Sequence, residues 1–251
     1  MLAIVGLVGA LTEIALSLRS RSDNLASQFV VAAPEGTRLT NPFNSLAVSP
    51  DGSKLVFAAA ASGVSRLWIR PFDSLTARPL AGTEEGTGPF WSPDSRFLGF
   101  FARGKLRMID AAGGPVQPLA DVTTVGMGRE LSGTWGPDGA IVFTPTTAGN
   151  LFLVRIGRGG TAAPITRLDE SRHEVRHLFP AFLPDGRHFL FVARSIPEAN
   201  STINVGELGS SQTRPIRPAV LASPVVYAPP GYLIFRQASA LMAQAFDTTR
   251  W

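Results

Sequence analysis

Ser49-Pro50-Asp51-Gly52, Ser92-Pro93-Asp94-Ser95, Gly136-Pro137-Asp138-Gly139 and Leu183-Pro184-Asp185-Gly186 are one turn written four times. The prolines stand at 50, 93, 137 and 184, in steps of 43, 44 and 47 residues. A fifth copy, Ala228-Pro229-Pro230-Gly231, has lost its aspartate. Each residue type has a mechanical reason to be there. Proline presets φ at the first corner, the Asp carboxylate bonds the backbone two residues on, and glycine takes the positive φ that ends the turn. A short apolar stretch precedes each turn, and a strand-like run follows it over residues 54–58, 96–101, 140–144, 187–193 and 232–235. Third runs (66–70, 105–109, 151–156, 202–208, 241–246) and fourth runs (77–80, 116–119, 164–166, 213–216) complete most units. Four short strands in roughly 45 residues is the period of a β-propeller blade. The sequence therefore predicts an all-β fold, a β-propeller of four-stranded blades over residues 22–251. The units fall at about 43–80, 88–119, 132–166, 179–216 and 222–251. Four are full blades and the fifth is partial, so the expected ring is incomplete. Residues 29–33 are strand-like and are expected to pair with the last blade.

Composition agrees with this reading. Of 251 residues, 45% are apolar, 17% are charged, and Gly 25 with Pro 20 favours turns over long helices. There is no cysteine, which removes disulfides, thiolate nucleophiles and cysteine-ligated metal. The net charge is only +4, and the arginines are scattered rather than clustered in a stripe. Nucleic acid is therefore not an expected partner. The second recurring turn, Asp110-Ala111-Ala112-Gly113-Gly114 and Gly157-Arg158-Gly159-Gly160, is glycine-rich, but a strand follows rather than the helix a phosphate site needs.

The start of the chain differs. Residues 2–18, LAIVGLVGALTEIALSL, are apolar except for Thr12, Glu13 and Ser17, with Arg19 and Arg21 directly after. About 17 apolar residues is the lower limit for a membrane-spanning helix. Residues 1–21 are predicted as a transmembrane anchor, with Glu13 as a costly exception.

Several stretches resemble a known family. Leu67-Trp68-Ile69-Arg70-Pro71-Phe72, then Phe90-Trp91-Ser92-Pro93-Asp94-Ser95-Arg96-Phe97 and Phe182-Leu183-Pro184-Asp185-Gly186-Arg187-His188-Phe189, are similar to the WD-repeat-like blades of TolB-type propellers. Such blades also occur after the membrane span of bacterial serine/threonine protein kinases, and the hydrophobic segment ahead of the repeats fits that setting. The resemblance implies a non-catalytic sensing or protein-binding region of a membrane-anchored kinase, present here as a fragment. The kinase would lie upstream and further blades downstream. It places the chain at the bacterial inner membrane with the propeller in the periplasm. One alternative is a stand-alone TolB-like periplasmic scaffold that binds envelope proteins. Another is the propeller lid of a prolyl-oligopeptidase-type serine hydrolase.

The chemistry-bearing motifs read as structural. His173-Glu174-Val175-Arg176-His177 matches H-E-x-x-H, whose zinc chemistry needs both histidines on one helix face and a third ligand. Pro180 follows closely, and the stretch is expected to be a polar loop between blades; Glu198 and Glu207 are poor candidates for the third ligand. No G-x-S-x-G is present. Asp94, Asp138 and Asp185 recur at one point of each unit, so a turn function explains them better than a glycosidase pair. Trp68, Trp91 and Trp135, with Phe43, Phe90 and Phe182, are expected between blades. No catalytic residue, metal or cofactor is expected. Binding is expected at one mouth of the channel, where the longer loops 121–131, 168–179 and 196–201 gather. The candidate residues there are Arg129, Glu130, Arg172, His173, Glu174 and His177, for a protein or small-molecule ligand.

Overall fold

The computed structural model describes residues 32–40, 46–122, 131–145, 149–157, 161–219, 223–237 and 239–250. The chain divides into two units, Met1–Ala32 and Ala33–Trp251, and apart from Ala32 the described residues all belong to the second. The anchor expected over 2–18 lies outside the described residues. Among the described residues, no helix is long and apolar enough to cross a membrane.

The second unit is an all-β propeller of five blades. In blade 1, β1 (Thr37–Leu39) and β2 (Leu46–Val48) both pair with β3 (Lys54–Ala61), followed by β4 (Val64–Pro71) and β5 (Arg78–Pro79). Blade 2 holds β6 (Thr87–Trp91), β7 (Phe97–Ala102), β8 (Lys105–Asp110) and β9 (Gln117–Asp121). Blade 3 holds β10 (Gly133–Trp135), β11 (Ala140–Phe143), β12 (Phe152–Arg155) and β13 (Ala163–Pro164). Blade 4 holds β14 (Glu174–Phe182), β15 (His188–Ser195), β16 (Thr202–Glu207) and β17 (Thr213–Pro218). Blade 5 holds β18 (Val225–Ala228), β19 (Tyr232–Gln237) and β20 (Ala240–Ala245). Every pairing of named strands is antiparallel between sequence neighbours except β1 with β3, as an up-and-down blade requires. Of the expected closing strand 29–33, residues 29–31 lie outside the described residues, and Ala32 and Ala33 are not in a strand.

The Pro-Asp-Gly turns behave as their chemistry dictates. In each, the fourth residue donates its N–H to the carbonyl of the first: Gly52 to Ser49 at 2.8 Å, Ser95 to Ser92 at 3.0 Å, Gly139 to Gly136 at 3.3 Å and Gly186 to Leu183 at 3.0 Å. That fourth residue has a positive φ in all four, from 60° at Ser95 to 77° at Gly139. Ser95 therefore carries the left-handed conformation that glycine takes elsewhere, a local cost recovered when its hydroxyl accepts the Asp51 N–H of blade 1 at 3.0 Å.

Four apolar clusters fill the four interfaces between successive blades. Val56 and Leu67 meet Trp91 and Phe100 between blades 1 and 2; Phe101 and Leu106 meet Ile141 and Phe143 between blades 2 and 3. Val142 meets Phe189 and Phe191, and Val192 and Val205 meet Leu233 and Phe235 at the next two interfaces. Of the aromatic residues expected between blades, Phe90, Trp91, Trp135 and Phe182 pack there, whereas Trp68 lies on the blade 1 face turned away from blade 2. Trp91 donates from its indole to the Ala47 carbonyl across the first interface at 3.0 Å. Phe90 is seated between Gly99 and Gly133, where an added Cβ would stand 2.2 and 2.5 Å from the ring. Phe43 lies outside the described residues. Register places Leu39, Leu46, Val48 and Val64 on the blade 1 face turned away from blade 2, and Val226, Tyr232 and Leu241 on the blade 5 face turned away from blade 4. These seven are among the exposed large apolar side chains, and no apolar cluster among the described residues joins either terminal face to another blade.

Candidate functional site

Residues of all five innermost strands or their leading edges line a central channel of about 110 Å³, among them Leu46, Pro89, Gly133, Pro180 and Val226. Its wall is mostly apolar side chain and backbone, with Ser132 among the lining residues. Two inner strands bulge there: β6 shifts register between Thr87 and Phe90, and β14 between Leu178 and Ala181. Gly88 (φ 57°) and Phe179 (φ 55°) hold the left-handed backbone of these bulges.

Of the loops predicted to bind, 168–179 leads into the innermost strand β14 from the end opposite the Pro-Asp-Gly turns, 196–201 joins β15 to β16 at that same end, and most of 121–131 lies outside the described residues. Arg129 and Glu130 lie outside the described residues. The H-E-x-x-H stretch is not the loop expected. A short 3-10 turn, Glu170–Arg172, is capped by Asp169, whose carboxylate accepts the Ser171 N–H; His173 ends it at φ 55°. Glu174 then opens strand β14, so Glu174 through His177 are inner-strand residues. The reason is burial: an extended backbone carries Leu178 and Phe179 into the blade 4–5 core, and pairing with β15 satisfies the backbone.

His173 is exposed, while His177 is fully buried with both ring nitrogens engaged. Nδ1 is 2.8 Å from Thr166 Oγ1 and Nε2 is 3.0 Å from Glu174 Oε2. The Leu151 N–H donates to Thr166 Oγ1 at 2.9 Å, and the Asp169 N–H donates to Glu174 Oε2 at 2.8 Å. Every donor finds an acceptor if the imidazole carries its proton on Nε2: Leu151 N–H to Thr166, Thr166 O–H to Nδ1, and Nε2–H to Glu174. Burial works to raise the Glu174 carboxyl, but the bonds from His177 and the Asp169 N–H outweigh it and hold the pKa below its ordinary value. The trio superficially matches a hydroxyl–imidazole–carboxylate nucleophile set. Thr166 is only 4% exposed and its hydroxyl is already engaged twice, so no substrate carbonyl can reach it. The cluster ties the end of blade 3 to the start of blade 4. Arg172 lies 3.8 Å from Glu174 and donates to Thr202 Oγ1 at 3.2 Å, joining the entry loop to the rim of β16. Of the six predicted residues the structure thus joins Arg172, Glu174 and His177, and leaves His173 at the surface. Among the described residues, no group of three His, Asp or Glu side chains is placed to hold a metal ion.

The turn aspartates are occupied as well. Asp51 accepts the Ser49 hydroxyl at 2.5 Å and the Ser53 N–H at 2.9 Å; Asp94 accepts the Ser92 hydroxyl at 2.5 Å and the Arg96 N–H at 3.1 Å. These bonds, the serine first, hold both carboxyls below their ordinary values. In blades 3 and 4 burial works against Asp138 and Asp185, and Arg155 and His188 respectively outweigh it. Sequence reading did not register the grooves between blades at this turn end, because their walls come from separate repeats. The groove between blades 1 and 2 has a volume of about 450 Å³. Asp51, Asp94 and Asp110 line it with Lys54, Arg78 and Arg96.

In fold the chain is a TolB-like β-propeller. It superposes on TolB of Acinetobacter baumannii with a TM-score of 0.68 at 14% identity, over 89% of this chain and 55% of that one. The β-propeller domain of the Trilobed protease from Pyrococcus furiosus matches with a TM-score of 0.53 at 15% identity, over 90% of this chain and 72% of that one. By sequence, YuxL of Bacillus subtilis, described as an uncharacterized peptidase, is 24% identical over 190 residues, 58% of this chain and 28% of its own length. The chain thus spans little more than a quarter of that relative and about half of TolB. No protein-family model matches.

Proposed function

We propose that the chain is a recognition propeller, a region that binds a ligand or protein and leaves chemistry to other domains. One observation carries this reading. The histidine and carboxylates that resemble catalytic sets, His177, Glu174, Asp51, Asp94, Asp138 and Asp185, are engaged in bonds that hold turns and blades together. The setting we favour is the periplasmic side of a membrane-anchored bacterial kinase, with residues 2–18 as the anchor. The aromatic–Ser-Pro-Asp blades and the apolar leader support it. Recognition then uses the mouth around Arg172 and His173, on loops held by a rigid scaffold. Placing a photo-crosslinking amino acid at His173 in the full chain, expressed in a bacterial envelope, tests the reading. A discrete adduct is expected there and not at Ser210 on the opposite end; equal labelling at both would overturn it.

A second reading has its own support in the YuxL match and the Trilobed protease propeller. Here the same propeller gates a peptidase domain carried elsewhere in the protein. Sequencing the coding locus separates the two, since one requires an in-frame kinase upstream and the other an α/β-hydrolase domain with G-x-S-x-G.

A further inference from the structure

At the turn end of the interface between blades 4 and 5 lies a second groove, of about 270 Å³. It occupies the same place in its blade pair as the groove between blades 1 and 2. In both, one wall is the outer strand of a blade, bearing Arg78 in one and Arg214 and Arg217 in the other. The facing wall is the end of the next blade's third strand, at Asp110–Ala112 in one and Gln244–Asp247 in the other. The charges differ. In the first groove Arg96 is 3.3 Å from Asp110, Lys54 is 3.7 Å from Asp51, and Arg78 donates to the Ala111 carbonyl at 2.7 Å. In the second, three guanidiniums face one carboxylate, Asp247, which already accepts the Thr249 N–H at 2.8 Å and hydroxyl at 2.7 Å.

Arg217 is anchored. Its guanidinium lies 3.7 Å from the Phe235 ring centre and donates to Gln244 Oε1, and burial lowers its pKa. The guanidiniums of Arg214 and Arg250 have no hydrogen-bond or ion-pair partner among the described residues. Leu233, buried, and Phe246, half-buried, give the groove an apolar floor. Planar guanidinium forks over an apolar surface suit carboxylate or phosphate groups on an organic body.

We propose that the groove between blades 4 and 5 is a binding site for a small organic polyanion, its oxyanion groups held by Arg214, Arg217 and Arg250 and its body resting on Leu233 and Phe246. The site lies at the opposite end of the propeller from the mouth loops. It goes beyond the recognition reading at the mouth by adding a second site with its own ligand class.

The test is isothermal titration calorimetry on the full chain in detergent at low ionic strength, with citrate as the carboxylate probe and phenyl phosphate as the phosphate probe. Saturable binding of either is expected, weakening as sodium chloride is raised because exposed charges are screened. Whichever probe binds identifies the oxyanion chemistry preferred. The double variant R214Q/R250Q should bind about tenfold more weakly or worse, because it loses two charge-assisted contacts. Gln244→Glu keeps the side chain's shape, adds a carboxylate to the wall and should also weaken binding. No saturable heat with either probe, or an unchanged affinity in both variants, would overturn the site. A protein that crosslinks at His173 yet gives no heat overturns this site alone. One that binds citrate but does not crosslink overturns the mouth reading alone.

Discussion

The grooves between blades 1 and 2 and between blades 4 and 5 are built from the same repeat positions, yet one is charge-balanced and the other is basic. The difference traces to single residues. Blade 2 opens with Ser92-Pro93-Asp94-Ser95 and closes its third strand on Asp110, so two carboxylates enter the first groove from that blade alone. Blade 5 opens with Pro229-Pro230-Gly231 and has Gln244 near the end of its third strand. A repeat supplies scaffold at every copy, and a substitution at one copy can turn structural chemistry into available chemistry. The interface between blades 3 and 4 marks the other extreme, since Thr166, His177 and Glu174 are buried there and bonded to one another.

Removing polar groups at these three interfaces should therefore have graded effects on stability. His177→Ala should cost most, about 4 kcal/mol in denaturant unfolding. It removes a buried ring packed 4.7 Å from Phe191 and takes from Glu174 and Thr166 their bonds to the imidazole. A cost near that of a surface change would mean that the blade 3–4 interface is not bound through this cluster. Asp94→Ala should cost about 1 kcal/mol, because its bonds to Ser92 and the Arg96 N–H are made at the surface. R214Q/R250Q should change stability by less than about 0.5 kcal/mol while abolishing most anion binding. A large loss of stability there would erase the contrast between the two grooves.

Acid sharpens the comparison further. The Asp94 carboxyl has its folded pKa held below the ordinary 3.8. Its contribution is thus fully present above that value and is lost as pH falls through the lower folded value. Asp51 behaves in the same direction. Unfolding followed against pH should show a shallower acid limb in Asp51→Asn/Asp94→Asn than in the unaltered protein. Pro230→Ala, in the turn that has no carboxylate, should leave the slope of that limb unchanged.

The fold was legible because its signal is periodic. Proline, aspartate and glycine act through their own backbone, so Pro50, Pro93, Pro137 and Pro184 announce four turns wherever the rest of the chain goes. Alternating apolar residues such as Val56 and Ala58 then place a core on each blade face. The site was less legible. Glu174 and His177 read as loop residues because they are polar, lie between two blades and precede Pro180; they are strand residues because β15 pairs with them and Thr166, from the preceding blade, meets the imidazole. Arg214 and Arg217 carry no motif, and their groove exists only where β17 approaches the end of β20. Local backbone chemistry and hydropathy thus determined the turns, the strands and the count of blades from sequence alone. Which charged groups are used up and which are free was decided by tertiary structure, because a carboxylate's partner depends on which blade stands beside it.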